Sequence, residues 1–382
     1  MAVSRRQPVE TDRLRKTAEQ FQLYGDLVEI VPYGRGHIND TYLVTVNQAG
    51  RPVRYILQRL NTDVFPFPAA VMDNIARVTA HIARKLADEG CPDPSRRTLT
   101  MVPCRDGRRW LDAPHGAFRC YLFIEGARTF DQVETVQQAE AAARAVGRFQ
   151  QQLADFPLDQ LAETIPNFHH TRNRFEAFRR AWTTDPVGRA GHCRPEIEFA
   201  LAREPIVDVL LREEASGQIP RRVTHNDCKL NNVMIDDLTG EGLCMIDLDT
   251  VMPGLVLYDF GDLCRTATRS TLEDEVQLER VQMRREMFEA IVHGYWFTAG
   301  TFLTRAEITW LAFSARLITF EIGLRFLTDY LEGDVYFKTR RPGHNLDRCR
   351  VQFRMVESFE HHAAWMEELV ERYAALPPGG SP

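Results

Sequence analysis

The spacing of hydrophobic and polar positions changes near residue 126. Before it, apolar residues alternate or run together with β-branched and aromatic neighbours over 27–33, 41–46 and 53–59, the pattern of strands. Asn47-Gln48-Ala49-Gly50 separates the second run from the third, as a hairpin turn would. Residues 69–86 carry apolar positions at helical spacing, and 99–103 and 118–124 read as strands again, with a turn near Asp106-Gly107. The order is three strands, one helix, two strands.

Beyond Gly126, helical spacing takes over: 137–153, 172–182, 196–214, 273–298, 305–332 and 347–376 predict helices. Residues 221–253 interrupt them with short apolar runs broken by polar clusters, a loop-and-strand insert. The pattern predicts an α+β chain, with an N-terminal antiparallel sheet lobe carrying one helix over 1–124 and a mainly helical lobe over 125–382. Phe123-Ile124-Glu125-Gly126 is the crossover. Ligands favour such junctions, and the backbone at Phe123 and Glu125 is placed to hydrogen-bond an adenine edge.

Composition narrows the function class. A chain of 382 residues suffices for two packed lobes. A formal net charge of −6 weighs against a nucleic-acid or anionic-membrane binder, which would carry a basic surplus. The apolar stretch 310–324 contains Arg316 and Glu321, so it reads as a buried helix rather than a membrane span. No apolar segment backs the N-terminal arginines, so no targeting segment is expected. The eight cysteines form no Cys-x-x-Cys pair and are expected to be reduced thiols of a cytoplasmic protein. Nothing in the sequence sets the oligomeric state.

Chemistry concentrates in His225-Asn226-Asp227-Cys228-Lys229-Leu230-Asn231-Asn232. Phosphoryl transfer to a hydroxyl needs a carboxylate to orient the hydroxyl and accept its proton, and hard oxygen ligands to hold magnesium against the phosphates. Asp227 suits the first task. Asn232, returning on the same loop, and Asp247, ending an apolar run 20 residues beyond Asp227, suit the second. Asp259-Phe260-Gly261 spells the metal-binding triplet of protein kinases, but it lies 32 residues beyond Asp227, past Pro253-Gly254 and at a predicted helix start. Asp259 is therefore expected to be structural, capping that helix or accepting hydrogen bonds from the loop. His225 is expected to shape the loop. Gly34 and Gly36, between the first two strands, suit a segment covering ATP, since glycine lets backbone approach phosphates. The lysine expected on the third strand is missing: Gln58 stands there with Arg59 beside it, so either Arg59 serves the phosphates or the contact is neutral.

These residues resemble the aminoglycoside phosphotransferase and choline kinase superfamily, and through it the protein-kinase-like two-lobed fold. Residues 36–42, 55–59, 225–227 with 231–232, 246–254, 325–330 and 333–338 are similar to those of N-acetylhexosamine 1-kinases, Gln58 included, whereas Cys228 and Lys229 stand where that family varies. The resemblance spans about residues 30 to 355. It implies an ATP-dependent kinase that phosphorylates the anomeric hydroxyl of an N-acetylhexosamine, with Asp227 as base and Asn232 and Asp247 as magnesium ligands. It also implies that Arg325 and Tyr336 contact the sugar, planar donors suited to hydroxyl and acetamido oxygens. Asn231 and Asp249 are expected to support them. Kinases of homoserine, choline or an aminoglycoside, and a nucleotide-binding pseudokinase, are the alternatives.

Overall fold

A computed structural model describes residues 10–34 and 38–379. The N-terminal part runs α1 (Thr11–Ala18), β1 (Asp26–Pro32), β2 (Asp40–Gln48), β3 (Arg51–Arg59), α2 (Pro68–Asp88), the single turn α3 (Pro94–Arg97), β4 (Met101–Val102), β5 (Leu111–Ala113) and β6 (Gly116–Leu122). Its strands pair antiparallel in the order β1-β2-β3-β6-β4, with β5 beside β6. Side chains alternate across the sheet. Val44, Leu57 and Phe118 face α1, where they bury Leu14, Ala18 and Phe21. Ala117 and Tyr121 face the other way, into a core shared with α2 and the helical part. This second face overlooks the cleft.

The chain then continues as β7 (Ala127–Arg128), α4 (Val136–Gln152), α5 (Thr171–Thr184), α6 (Arg194–Ala202), α7 (Val209–Ala215), β8 (Arg222–Thr224), β9 (Val233–Asp236), β10 (Gly242–Met245), β11 (Met252–Gly254), α8 (Val256–Ala267), α9 (Arg285–Ala299), α10 (Arg305–Glu332), α11 (His344–His361) and α12 (Ala363–Ala374). Helix α4 opens with a reciprocal capping box between Thr135 and Gln138, and α10 with another between Thr304 and Glu307. Helices α4 and α9 cross closely because small residues meet there: a Cβ on Gly294 would lie 2.4 Å from the Glu140 carbonyl oxygen. A second core gathers Phe175, Phe178, Phe320 and Phe353 from α5, α10 and α11.

The expected α+β order of antiparallel sheet followed by helices is what the chain adopts. Three predicted helices differ. Residues 196–214 split around the short turn Glu204–Ile206, where Pro205 brings no N–H and ends the run. Residues 273–284 stay outside α9; there Ser270 N donates to the Gln282 carbonyl, closing the segment on itself instead of extending the helix. The span 347–376 breaks at His362 into α11 and α12. Among the described residues, no helix is long and apolar enough to cross a membrane.

Candidate active site

Strand β8 delivers Thr224 into the loop His225-Asn226-Asp227. Asn226 takes a left-handed backbone (φ 63°), which Asn tolerates better than most residues. The carboxylate of Asp259, in the first turn of α8, receives the amides of His225 (2.9 Å) and Asn226 (2.7 Å) and Nε2 of Gln150 (2.9 Å). Asp259 is thus the buried clamp of the loop, not a group facing the cleft. Phe260 is fully buried, and Gly261 lets α8 touch α10, since a Cβ there would lie 2.5 Å from the Ser314 carbonyl oxygen. All three residues of the kinase-like triplet are used structurally.

His225 couples the loop to the end of β10. Its Nε2 donates to the Ile246 carbonyl at 2.8 Å, which leaves Nδ1 to accept the Asp227 amide at 3.3 Å. The Asn232 carbonyl accepts the Ile246 amide at 2.9 Å. These two bonds bring Asp247 beside the loop, itself in a left-handed conformation (φ 59°). Asn232 donates Nδ2 to the Asp227 carbonyl (2.8 Å) and to its Oδ2 (3.1 Å), so the amide is oriented with Oδ1 accepting from none of the described residues. No hydrogen bond among the described residues reaches the Asp247 carboxylate. A free amide oxygen and an unsatisfied carboxylate are the hard donors that suit magnesium.

The electrostatics fit the same picture. Burial raises the Asp247 carboxyl, Asp249 and Asp227 add to the rise, and it is pushed up to about 6. Burial acts the same way on Asp227. There Lys229 prevails by charge and by a hydrogen bond from Nζ at 2.8 Å, with help from His225 and Arg265, and holds the carboxyl down to about 2.

The remaining predicted residues fall into place unevenly. Asp249 is buried and accepts Asn39 Nδ2 at 2.6 Å and an Arg119 nitrogen. Gln58 lies on the cleft face of β3, bonded to Thr41 Oγ1 at 3.0 Å. Arg59 does not: one residue on, it points to the opposite face, where its Nε pairs with Asp40 Oδ2 at 2.7 Å. The expectation that Arg59 could serve phosphates is corrected by that alternation. The Glu125 carboxylate is taken by Arg54, whose Nε lies 2.8 Å away, and its carbonyl, the backbone group expected to meet an adenine edge, accepts from Arg96. Phe123 packs its ring under Arg54 and against Tyr33, and its amide is used by the Arg54 carbonyl. Asn231 joins none of this; its Oδ1 is buried without a partner among the described residues. Gly34 is left-handed (φ 75°) with open space around it, and Gly36 lies outside the described residues.

Arg325, on α10, sits within 6 Å of the rings of Phe168, Tyr336 and Phe337 and has no carboxylate partner among the described residues. Tyr336 and Phe337 are held there through their amides by Asp329. The link to the loop runs through His169, next to Phe168. Its ring bridges Glu321 (2.7 Å) and the Asn226 carbonyl (2.8 Å). Burial alone would lower the His169 pKa, but Glu321 reverses this and raises it. Sequence reasoning missed Arg119, His169 and Glu321 as parts of the site. Arg119 and Glu321 carried a signal: each is a lone charge inside an apolar run, which burial permits only with a partner.

The sequence model of the phosphotransferase enzyme family, APH, matches residues 29–290. Among solved structures, the chain is similar to an aminoglycoside phosphotransferase from Alicyclobacillus acidocaldarius (TM-score 0.58, 13% identity, 97% of this chain and 99% of that one). A spectinomycin phosphotransferase in complex with ADP and spectinomycin matches at TM-score 0.54 and 14% identity, over 97% of this chain and 100% of that one. An ethanolamine kinase from Plasmodium vivax matches at TM-score 0.52 and 12% identity, over 85% and 82%. At these identities the likeness speaks to the fold, which is the kinase-like fold of aminoglycoside phosphotransferases.

Proposed function

The chain belongs to the phosphotransferase enzyme family, and from that premise we propose that it transfers the terminal phosphoryl group of ATP to the anomeric hydroxyl of an N-acetylhexosamine, giving the sugar 1-phosphate and ADP. The observation that carries the transfer chemistry is the convergence of Asp227, Asn232 and Asp247 through the Asn232–Asp227 and Asn232–Ile246 hydrogen bonds. Asp227, kept ionised by Lys229, orients the acceptor hydroxyl and takes its proton as the bond to phosphorus forms. Asn232 and Asp247 hold magnesium, which when bound neutralises phosphate charge. Asp259, His225 and the His169–Glu321 pair fix the loop so that Asp227 does not have to be ordered during the reaction. The ADP bound by the spectinomycin phosphotransferase supports an adenine nucleotide as the donor.

For the acceptor, the resemblance to N-acetylhexosamine 1-kinases is joined by the setting of Arg325. An aromatic cluster of Phe168, Tyr336 and Phe337 would suit a quaternary ammonium, but here a guanidinium already fills it. Arg174 adds a second positive charge close by, which burial and then Arg325 hold below its usual pKa. Such a site repels cationic acceptors such as choline, ethanolamine or an aminoglycoside, and it favours neutral hydroxyl compounds with carbonyl oxygens.

A coupled ADP-release assay against N-acetylglucosamine, N-acetylgalactosamine, choline, homoserine and kanamycin tests the reading. N-acetylhexosamine turnover is expected, and a preference for choline or kanamycin would overturn the acceptor assignment. Asp227→Asn should keep ADP affinity while turnover falls by about 10²–10⁴-fold; normal turnover would overturn the role of Asp227.

A further inference from the structure

A kinase cleft uses a fixed protein cation on the phosphates in addition to magnesium, and the strand position expected to carry it is the neutral Gln58. In the antiparallel register Gln58 lies directly opposite Arg119 on β6, so the two side chains leave the same face of the sheet as near neighbours. Arg119 is 1% exposed. Its Nε donates to Gln58 Oε1 at 2.9 Å and its Nη1 to Asp249. Its Nη2 donates to none of the described residues.

The surroundings exclude the ordinary arrangement. Helix α2, which would offer a carboxylate to a strand lysine, presents Met72 to Arg119, with Sδ 4.0 Å from Nη1. Asp73 on the same helix is at the surface, 3.1 Å from Arg109. Arg59 is turned to the other face. Asp249 does instead what a helix carboxylate would do: one oxygen holds Arg119, and the other takes Asn39 Nδ2 at 2.6 Å. Asn39 in turn accepts the Asn61 amide on its Oδ1 at 2.9 Å, so the anchor of the cation also holds the start of β2 against the end of β3.

We propose that Arg119 is the phosphate-binding cation of this cleft, replacing the third-strand lysine from the adjacent strand, with Asp249 as its positioning partner. This rests on the reading of the cleft as an ATP site. Its Nη2, without a partner among the described residues, is the nitrogen left for the nucleotide, and the bond to Gln58 fixes Nε on the same face of the sheet.

The test is calorimetric titration of ADP in EDTA, which removes any contribution through magnesium, with circular dichroism melting as the folding control. Arg119→Met should weaken ADP about 10- to 100-fold, the usual loss for charge-assisted hydrogen bonds. Arg119→Lys should lose less than Arg119→Met. Because Arg119→Met strands the Asp249 charge and can fail to fold, the deciding variant is Gln58→Lys with Arg119→Met, which moves the cation one strand over. It should fold and bind ADP within a few-fold of the native chain; folding without binding overturns the proposal. A folded Arg119→Met variant with native ADP affinity overturns it too, whereas a native chain that binds no ADP overturns the ATP-site reading along with it.

Discussion

The proposed metal site should lose affinity as acid is added, at a pH set by Asp247. Its carboxyl is pushed up to about 6 by burial and by the charges of Asp249 and Asp227. A divalent ion must displace that proton before it binds. The sign follows: above the midpoint the site is open, below it proton and metal compete, and the apparent dissociation constant rises tenfold per unit of pH. With a midpoint near 6, affinity at pH 5 should be about tenfold weaker than at pH 8, and at pH 7 only about a tenth weaker. Manganese suits the same oxygen donors. Its binding to the nucleotide-free chain can be followed by water-proton relaxation between pH 5 and 8, avoiding the titration of nucleotide phosphates. Asp227→Asn should move the midpoint down, since a like charge is lost and Lys229 is released toward Asp247. Affinity that is flat from pH 5 to 8, or a midpoint that rises in Asp227→Asn, would refute the reasoning.

Two further predictions concern packing around the cleft. Asn74 of α2 donates to the carbonyls of Ala162 (2.8 Å) and Val251 (2.9 Å) and accepts the Ala162 amide (3.0 Å); Asn74→Ala should cost about 2–3 kcal/mol, read as a lower urea midpoint at unchanged slope, and an unchanged midpoint would refute it. Gly261→Ala should lower the melting temperature, because its methyl meets the Ser314 backbone and overpacking of about 1–3 kcal/mol outweighs the roughly 1 kcal/mol gained by removing a helical glycine; a rise in melting temperature would count against the α8–α10 contact.

The legible parts of the fold were those whose pattern is periodic and one-sided. Strands β2 and β3 alternate cleanly, and α10 matches its predicted span of 305–332 because apolar positions persist between a capping Thr304 and Gly333. Helix α1 and the true extent of α8 were not legible. Helix α8 is buried along nearly its whole length, so it has no polar face to mark its period. The site divides in a similar way. Residues 225–247 form one loop and one hairpin, so spacing alone brings Asp227, Asn232 and Asp247 together. Phe168, His169, Glu321 and Arg325 join it from α10 and the segment before α5 through packing, which no linear spacing encodes.

The cation shows where linear reasoning reaches its limit. A rule that counts positions along the third strand finds Gln58 and stops, or moves to Arg59, one residue away and on the wrong face of the sheet. In space the next position over from Gln58 is not Arg59 but Arg119, 61 residues later, because neighbours on a sheet face are set by strand register rather than by sequence order. What such a cleft requires is a positive charge at one place on the cleft face, and any strand that passes that place can supply it. A carboxylate must then follow the cation, and here Asp249 does so, two residues from Asp247, the proposed metal ligand. The proposed phosphate cation, the proposed metal ligand and Asn39 thereby hang on one short stretch, 247–249. A change that shifts that stretch should therefore disturb nucleotide and metal binding together, whereas a change confined to Arg325 should leave both intact and alter only the acceptor.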